Sequence, residues 1–387
     1  MNRTRKTERF NVTADRSTAD FRIATTFLHP TRGEVRCPAS GVVTEWLGRA
    51  GAEVREEPFG ALDAHGPTRR DTEAVFGTTY LEPDGTAVGI AVASAGHWQE
   101  AEDAVHRWTR AMRTRRVLLV SADERCAGLF RGPAASAGSA QDARPLRSLP
   151  SGRASRQCPH RLASQMLTAE FLARGETVVV LGRSGVPQVP GAAGERGTAV
   201  TVIATVEHAR HFRPADPDRL SFVLSPCTPV EPAAEILGVL RTRFPRLRGQ
   251  HPDQWCYAES DFRAASASVT DASDLLITVG HGPFPAAGAI VPPKRHRHID
   301  GLGDLHPDDL AQAPTLGLVE RGPDSAHLTR QILTALSGLG PLSVVQRQYR
   351  TRKYDIQHIL RSARTSPTET TGLRSADGRM DEIGAHL

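Results

Sequence analysis

Cys256 stands between Trp255 and Tyr257 in the stretch HPDQWCYAES, residues 251–260, just ahead of a segment with helical spacing. Cys126 follows the apolar run RRVLLVSA, and Cys158 precedes Pro159 and a second helical segment. Proline is favoured in the first turn of a helix, which puts Cys158 close to a helix N-terminus. There the macrodipole favours the thiolate, the form of cysteine that attacks electrophiles or binds metal. The alternative for each position is a small apolar filler of the core. Ligands in open α/β sheets gather at the loops beyond the strand C-termini, so three such loops from three modules could bring these sulfurs to one centre.

The remaining signals are weaker. Cys37, in VRCPAS, reads as a partly buried thiol, or as an additional ligand if its segment docks near the others. Five widely spaced cysteines, an odd number, argue against a disulfide framework and for a reducing compartment, the cytoplasm. CPHR at 158–161 lacks a CxxC pair or a nearby histidine partner, which discounts zinc. GRSGVPQ around Ser184 lacks the second glycine of a nucleophile elbow, which discounts a hydrolase.

Of the 48 basic residues only Lys6, Lys294 and Lys353 are lysines, and the net charge is +5. The arginines are scattered among Asp and Glu rather than gathered into a stripe, so no nucleic-acid partner is expected. The densest basic run, Lys294–His298 (KRHRH), reads as a solvated loop, or else as an attractor of phosphate; His296 and His298 are expected at the surface. Apolar runs such as DLLITV are far too short to span a bilayer, and MNRTRKTERF has no apolar signal core, so no membrane is expected either.

The elements that would position these cysteines alternate. Residues 1–19 are polar and expected to lack structure. Residues 20–112 read as an N-terminal α/β unit. Its elements are the helical GVVTEWLGRAGAEV, two strands around a Pro-Asp-Gly turn in FGTTYLEPDGTAVGIAVA, and the amphipathic EAEDAVHRWTRAMRTR. Residues 113–255 hold the strand RRVLLVSA, a low-complexity loop over 132–156, the helix CPHRLASQMLTAEFLARG, the strand TVVVLG, strand signals in AVTVIATVEHARHF and RLSFVLSP, and the helix PVEPAAEILGVLRTRFP. Residues 256–362 repeat the theme, and 363–387 read as an unfolded tail. Strands alternating with helices imply parallel-sheet α/β modules.

The stretch LRTRFPRLRGQHPDQWCYAESDFRAASASVTDASDLLITVG resembles the 4-hydroxy-3-methylbut-2-enyl diphosphate reductases, the IspH/LytB family. RFP, a CYA-type cysteine, a helix and a strand ending in Val-Gly follow one another in the family's order. Upstream, RGETVVVLGRSGVPQVPGAAGE is similar to the family's strand and GHxGHPEVEGTMGQ segment, CAGL at Cys126 to its CAGV, and CPHRLASQ to its CPLVTKVH. The likeness covers roughly residues 115–362. It implies an α/β fold whose parallel-sheet modules form a trefoil-like arrangement around a central iron–sulfur site, with the first module shortened and the N-terminal α/β unit added. It also implies a [4Fe–4S] cofactor ligated by Cys126, Cys158 and Cys256, with one iron left open for a substrate oxygen. The implied function is that of a cytoplasmic iron–sulfur oxidoreductase of isoprenoid biosynthesis, removing an allylic hydroxyl to give isopentenyl and dimethylallyl diphosphates. A small-molecule diphosphate and an electron donor such as ferredoxin or flavodoxin are the implied partners.

The departures fall on the chemistry. Where the family uses a substrate-holding His and a proton-donating Glu, this chain has Val186 and Gln188, and an earlier family His is Arg183. An amide has no titratable proton and cannot serve as a general acid. The family's Ser-Ser-Asn run corresponds to HGPFPAA, with Phe284, Pro285 and Ala286; Pro323 lies near an expected serine and Cys227 near a substrate-side threonine. A diphosphate needs several convergent donors, and losing most of them costs orders of magnitude in affinity. Cys227 could instead cap the open iron. Only 31 residues separate Cys126 from Cys158, where the family carries most of a module. Two functions stay open: a reductase with a changed substrate, and a non-catalytic relative that carries a cluster or binds a partner.

Overall fold

The computed structural model describes residues 7–13, 19–63, 72–94, 96–122, 158–182, 200–280, 295–321, 325–351 and 379–386, the last by its backbone alone. The low-complexity stretch 132–156 lies outside the described residues. In chain order, the first strands are β1 (Glu8–Thr13), β2 (Phe21–Ala24), β3 (Thr26–His29) and β4 (Gly33–Arg36). Helix α1 (Ser40–Arg49), β5 (Val54–Glu57), β6 (Thr72–Leu81), β7 (Ala87–Ser94), α2 (Trp98–Ala111) and β8 (Arg115–Ser121) follow. Next come α3 (Pro159–Ala173), β9 (Thr177–Leu181), β10 (Val200–Ile203), α4 (Val206–His211), β11 (Leu220–Leu224), α5 (Val230–Arg243) and β12 (Arg248–Gly249). The chain continues through α6 (Ala258–Ala272), β13 (Leu275–Val279), β14 (His296–Ile299), α7 (Pro307–Ala311) and β15 (Thr315–Glu320). It closes with α8 (Ser325–Ser337), β16 (Leu342–Arg350) and β17 (Arg379–His386).

These elements divide into two compact units, one of residues 1–121, 266–347 and 382–387, the other of residues 122–265 and 348–381. The partition differs from the expected one. Residues 20–112 do not stand apart, because they share a core with the C-terminal segment. Strand β1 begins inside the stretch expected to lack structure, and β17 lies inside the expected tail.

The first unit holds two sheets. One has seven strands in the order β1-β6-β7-β2-β5, with β3 and β4 alongside, and is mostly antiparallel. The Pro-Asp-Gly turn joins β6 to β7 as expected: Gly85 has φ 87, and its N–H donates to the Glu82 carbonyl at 3.0 Å. All eight residues of β7, AVGIAVAS, are buried, which explains a run that is apolar or small throughout rather than alternating. The other sheet has the order β14-β13-β15-β8-β16-β17, with parallel pairing from β14 through β16. Helix α2 turns Ala101, Ala104, Val105, Trp108 and Ala111 inward, the i, i+3, i+4, i+7 face expected of an amphipathic helix. One core cluster runs from Phe21 and Trp108 to Leu318 and Leu336, so the N-terminal sheet and the C-terminal segment fold together. Tyr80 clasps them: its hydroxyl donates to the Ser337 carbonyl at 2.8 Å and accepts from the Gly340 N–H at 3.1 Å.

The second unit is built on a four-stranded parallel sheet, order β10-β9-β11-β12. Helix α3 ends at Gly175, φ 71, as its sequence requires. The segment AVTVIATVEHARHF, expected as strand, keeps only β10 and then turns helical. Thr205 caps α4 by accepting from the His208 N–H at 3.1 Å, and Glu207 sits in the first turn. Phe222, Leu237, Leu240 and Trp255 belong to this unit's core.

Candidate functional site at the carboxyl edge of the second sheet

The carboxyl ends of the parallel strands β9, β11 and β12 define one edge of the second unit. Beyond β11 the chain enters Ser225–Thr228, where Cys227 takes φ 58, the only non-glycine residue with positive φ among the described residues. Beside it Gly182 ends β9 with φ 128, and a Cβ there would collide with the Thr228 hydroxyl and crowd the Ser225 Cβ. Only glycine allows the two strand ends to come this close.

Cys158 reaches this edge from α3. It is the N-cap residue, its carbonyl accepts from the Arg161 and Leu162 N–H groups at 3.0 and 3.2 Å, and Pro159 opens the first turn. One turn on, the Ser164 hydroxyl donates to the carbonyl of Leu224, the last residue of β11, at 3.3 Å. Cys256 reaches the edge from β12. Gln250 donates its N–H to the Phe222 carbonyl at 3.2 Å, and its side-chain Oε1 accepts from the Leu224 N–H at 2.9 Å. Its Nε2 donates to the Gln254 carbonyl at 3.1 Å, and Gln254 Oε1 accepts from the His251 N–H at 3.1 Å. This chain of bonds fixes the loop that carries Trp255 and Cys256. Past it, the Ser260 hydroxyl accepts from the Val230 N–H at 2.8 Å and donates to Glu231, tying the start of α6 to the start of α5.

Both cysteines are buried, Cys158 at 7% and Cys256 at 3% exposure, and neither is in a disulfide. Both lie at the beginning of a 15-residue helix, the setting in which the macrodipole favours a thiolate. Burial raises the Tyr257 hydroxyl above its ordinary value, and the charges of Asp261 and Glu231 add to the effect, so Tyr257 stays protonated across neutral pH. The Trp255 Nε1–H, buried next to Cys256, has no acceptor among the described residues. Soft, buried thiols at helix starts, with an indole donor left over beside one of them, fit a sulfur-rich iron cluster better than a hard cation.

Of the expected ligands, the structure thus brings Cys158 and Cys256 to one edge of one sheet. Cys126 lies outside the described residues, as do Arg183, Val186, Gln188, Phe284, Pro285, Ala286 and Pro323. Among the described residues no three His, Cys, Asp or Glu side chains gather as metal ligands. Cys37 sits in the core of the first unit with Phe27, Val35 and Ala91, and burial pushes its thiol up to about 12. The Gln250–Gln254 latch has no signal in the sequence beyond two glutamines shortly before a cysteine. No described helix is long and apolar enough to cross a membrane.

Comparison with known proteins meets the geometry here. The family described as LytB protein matches residues 153–283, which contain Cys158, Cys227, Cys256 and the whole latch. The 4-hydroxy-3-methylbut-2-enyl diphosphate reductase of Bartonella tribocorum is 40% identical over 107 residues, 27% of this chain and 30% of that protein. The reductase of the same name from Gluconobacter oxydans is 29% identical over 181 residues, 44% of this chain and 53% of that protein. The matched part of the chain therefore spans 30% and 53% of the length of these two relatives. A solved structure of E-1-hydroxy-2-methyl-but-2-enyl-4-diphosphate reductase from Plasmodium falciparum aligns with a TM-score of 0.40 at 16% identity, over 54% of this chain and 70% of that one. The cysteine-bearing edge lies inside the matched segment, so this part of the chain is what is similar to the LytB protein family.

Proposed function

We propose that the chain is an iron–sulfur reductase of the LytB kind, that Cys126, Cys158 and Cys256 hold a [4Fe–4S] cluster, and that its substrate differs from that of the reductases it resembles. The observation that carries this is that the helix opened by Cys158 and the loop that carries Cys256 reach the same strand edge, tied to Leu224 by Ser164 and by Gln250. When bound, such a cluster relays electrons and offers one iron as a Lewis acid. The protein's part is to hold the thiolates at helix starts, to keep water from them by burial, and to fix the Cys256 loop through Gln250. Proton delivery by the family's route is absent, because Gln188 stands at the position of the acid and an amide cannot be recharged from water. Phe284, Pro285 and Ala286 replace donors that a diphosphate needs, which favours a substrate with fewer phosphates or none. A ferredoxin- or flavodoxin-type donor and a cytoplasmic setting complete the proposal.

Anaerobic reconstitution with iron and sulfide, followed by iron counting and electron paramagnetic resonance, tests it. Wild type is expected to take up about four irons per chain, as a [4Fe–4S] assignment requires, and Cys126→Ser, Cys158→Ser and Cys256→Ser each to lose the cluster while Cys37→Ser keeps it. Wild-type iron content in all three variants overturns the ligand assignment. Reduced, loaded protein is expected to leave 4-hydroxy-3-methylbut-2-enyl diphosphate unchanged; turnover of that compound overturns the changed substrate. A loaded protein that reduces no allylic alcohol or its phosphate esters supports the cluster-carrying, non-catalytic reading instead.

A further inference from the structure

Starting within the basic run read in the sequence as a solvated loop, His296–Ile299 form an edge strand. β14 pairs in parallel with β13, and the register sets His296 opposite Leu276 and His298 opposite Thr278. Alternation along a strand puts His296 and His298 on one face and Arg297 on the other. The buried Thr278 hydroxyl lies 3.0 Å from His296 Nε2 and 3.1 Å from His298 Nδ1. On the far side of its ring, His298 Nε2 lies 3.3 Å from Asp300 Oδ1. Two imidazole nitrogens therefore converge on a single oxygen atom, and one of the two rings is backed by a carboxylate.

A hydroxyl has one hydrogen and can satisfy only one nitrogen as a donor. Asp300 Oδ1 faces His298 Nε2, and a proton held there on Nε2 would leave the Nδ1 lone pair toward Thr278. A carboxylate holding the distal N–H of a histidine is the arrangement that orients metal-ligating imidazoles and raises their basicity. Arg297, on the opposite face, is paired with Asp309 at 2.7 Å, so its charge is already balanced.

We propose that His296 and His298 chelate a divalent late first-row transition ion, with Asp300 as a positioning residue behind His298. Neutral imidazole is a ligand suited to zinc, nickel and copper, and exposed side chains can close on such an ion by small rotations. No third His, Cys, Asp or Glu joins them among the described residues, so an ion bound here would complete its shell with water. The site belongs to the first unit and shares no residue with the cysteine edge.

Titration of the full chain with Ni²⁺, followed by calorimetry and by histidine ring resonances, tests this. Wild type is expected to bind one ion, His296→Ala and His298→Ala each to weaken binding at least about tenfold, and Asp300→Asn to weaken it about tenfold. His208→Ala, which removes half of a histidine pair on α4, and Cys158→Ser/Cys256→Ser are expected to bind as wild type, which separates this site from the proposed cluster. Circular dichroism reports whether each variant is folded. Unchanged Ni²⁺ affinity in folded His296→Ala and His298→Ala, or no binding by wild type at millimolar Ni²⁺, overturns the proposal.

Discussion

The Leu224 N–H donates to Gln250 Oε1 at 2.9 Å, where the next rung of a longer β12 would otherwise stand. Strand β12 stops after Arg248–Gly249, and a side chain replaces the backbone acceptor. The chain is thereby released from the sheet to form the Cys256 loop without stranding a buried N–H. An unpaired buried donor would cost more than the bond contributes.

Gln250→Leu removes the acceptor of Leu224 and the donor to Gln254 together. We expect a loss of about 1–3 kcal/mol of unfolding free energy per unsatisfied group, read by urea denaturation. The same variant is expected to take up less iron on reconstitution, because its defect lies in the loop before Cys256. Gln250→Glu keeps the acceptor and is expected to fall between the two.

Gly182→Ala places a Cβ against Thr228 at a φ of 128. The backbone cost alone is about 1–3 kcal/mol, and the collision adds to it. Gly182→Ala/Thr228→Ala relieves the collision but not the dihedral, so it is expected to recover part of the stability. Full recovery in thermal melts would show that the φ carries no cost.

Tyr80→Phe leaves the Ser337 carbonyl and Gly340 N–H without the hydroxyl between them. The expected loss is about 1–3 kcal/mol, seen as a lowered denaturation midpoint. Because the N-terminal sheet and C-terminal segment share one core, the transition is expected to stay single. Amide exchange in β6 and β7 that opens at a lower denaturant concentration than in β13 and β15 would mean that residues 20–112 fold independently.

Cys37, held near 12 by burial, makes stability depend on alkaline pH. The native state keeps its proton while the unfolded chain loses it above about 8.5–9. The contribution is therefore complete below pH 9 and is lost progressively as pH rises through about 12, a few kcal/mol in all. Cys37→Ala is expected to flatten this decline between pH 9 and 11. In native protein at pH 8, Cys37 is also expected to resist alkylation that reaches the more exposed Cys227.

Local pattern was legible wherever one element buries one face. The inward stripe of α2, the Pro-Asp-Gly turn, the stop of α3 at Gly175 and the placement of Cys158 at a helix start all follow from residue type and spacing. The reading failed at AVTVIATVEHARHF because β-branched residues run up to a threonine that is also a good N-cap. It failed at Lys294–His298 because three exposed side chains on an edge strand carry no apolar period.

The sequence by itself determined the α/β class, the alternating elements and the segment whose cysteines suit a soft metal centre, since each rests on residue spacing along the chain. Only tertiary structure decided that the first 121 residues fold with the C-terminal segment, that Cys37 is a core thiol, and that Gln250 and Ser164 meet at Leu224. Parallel strand pairing and buried side-chain bonds join residues 26–60 positions apart or more, and no local period records which partner a strand or an amide will find.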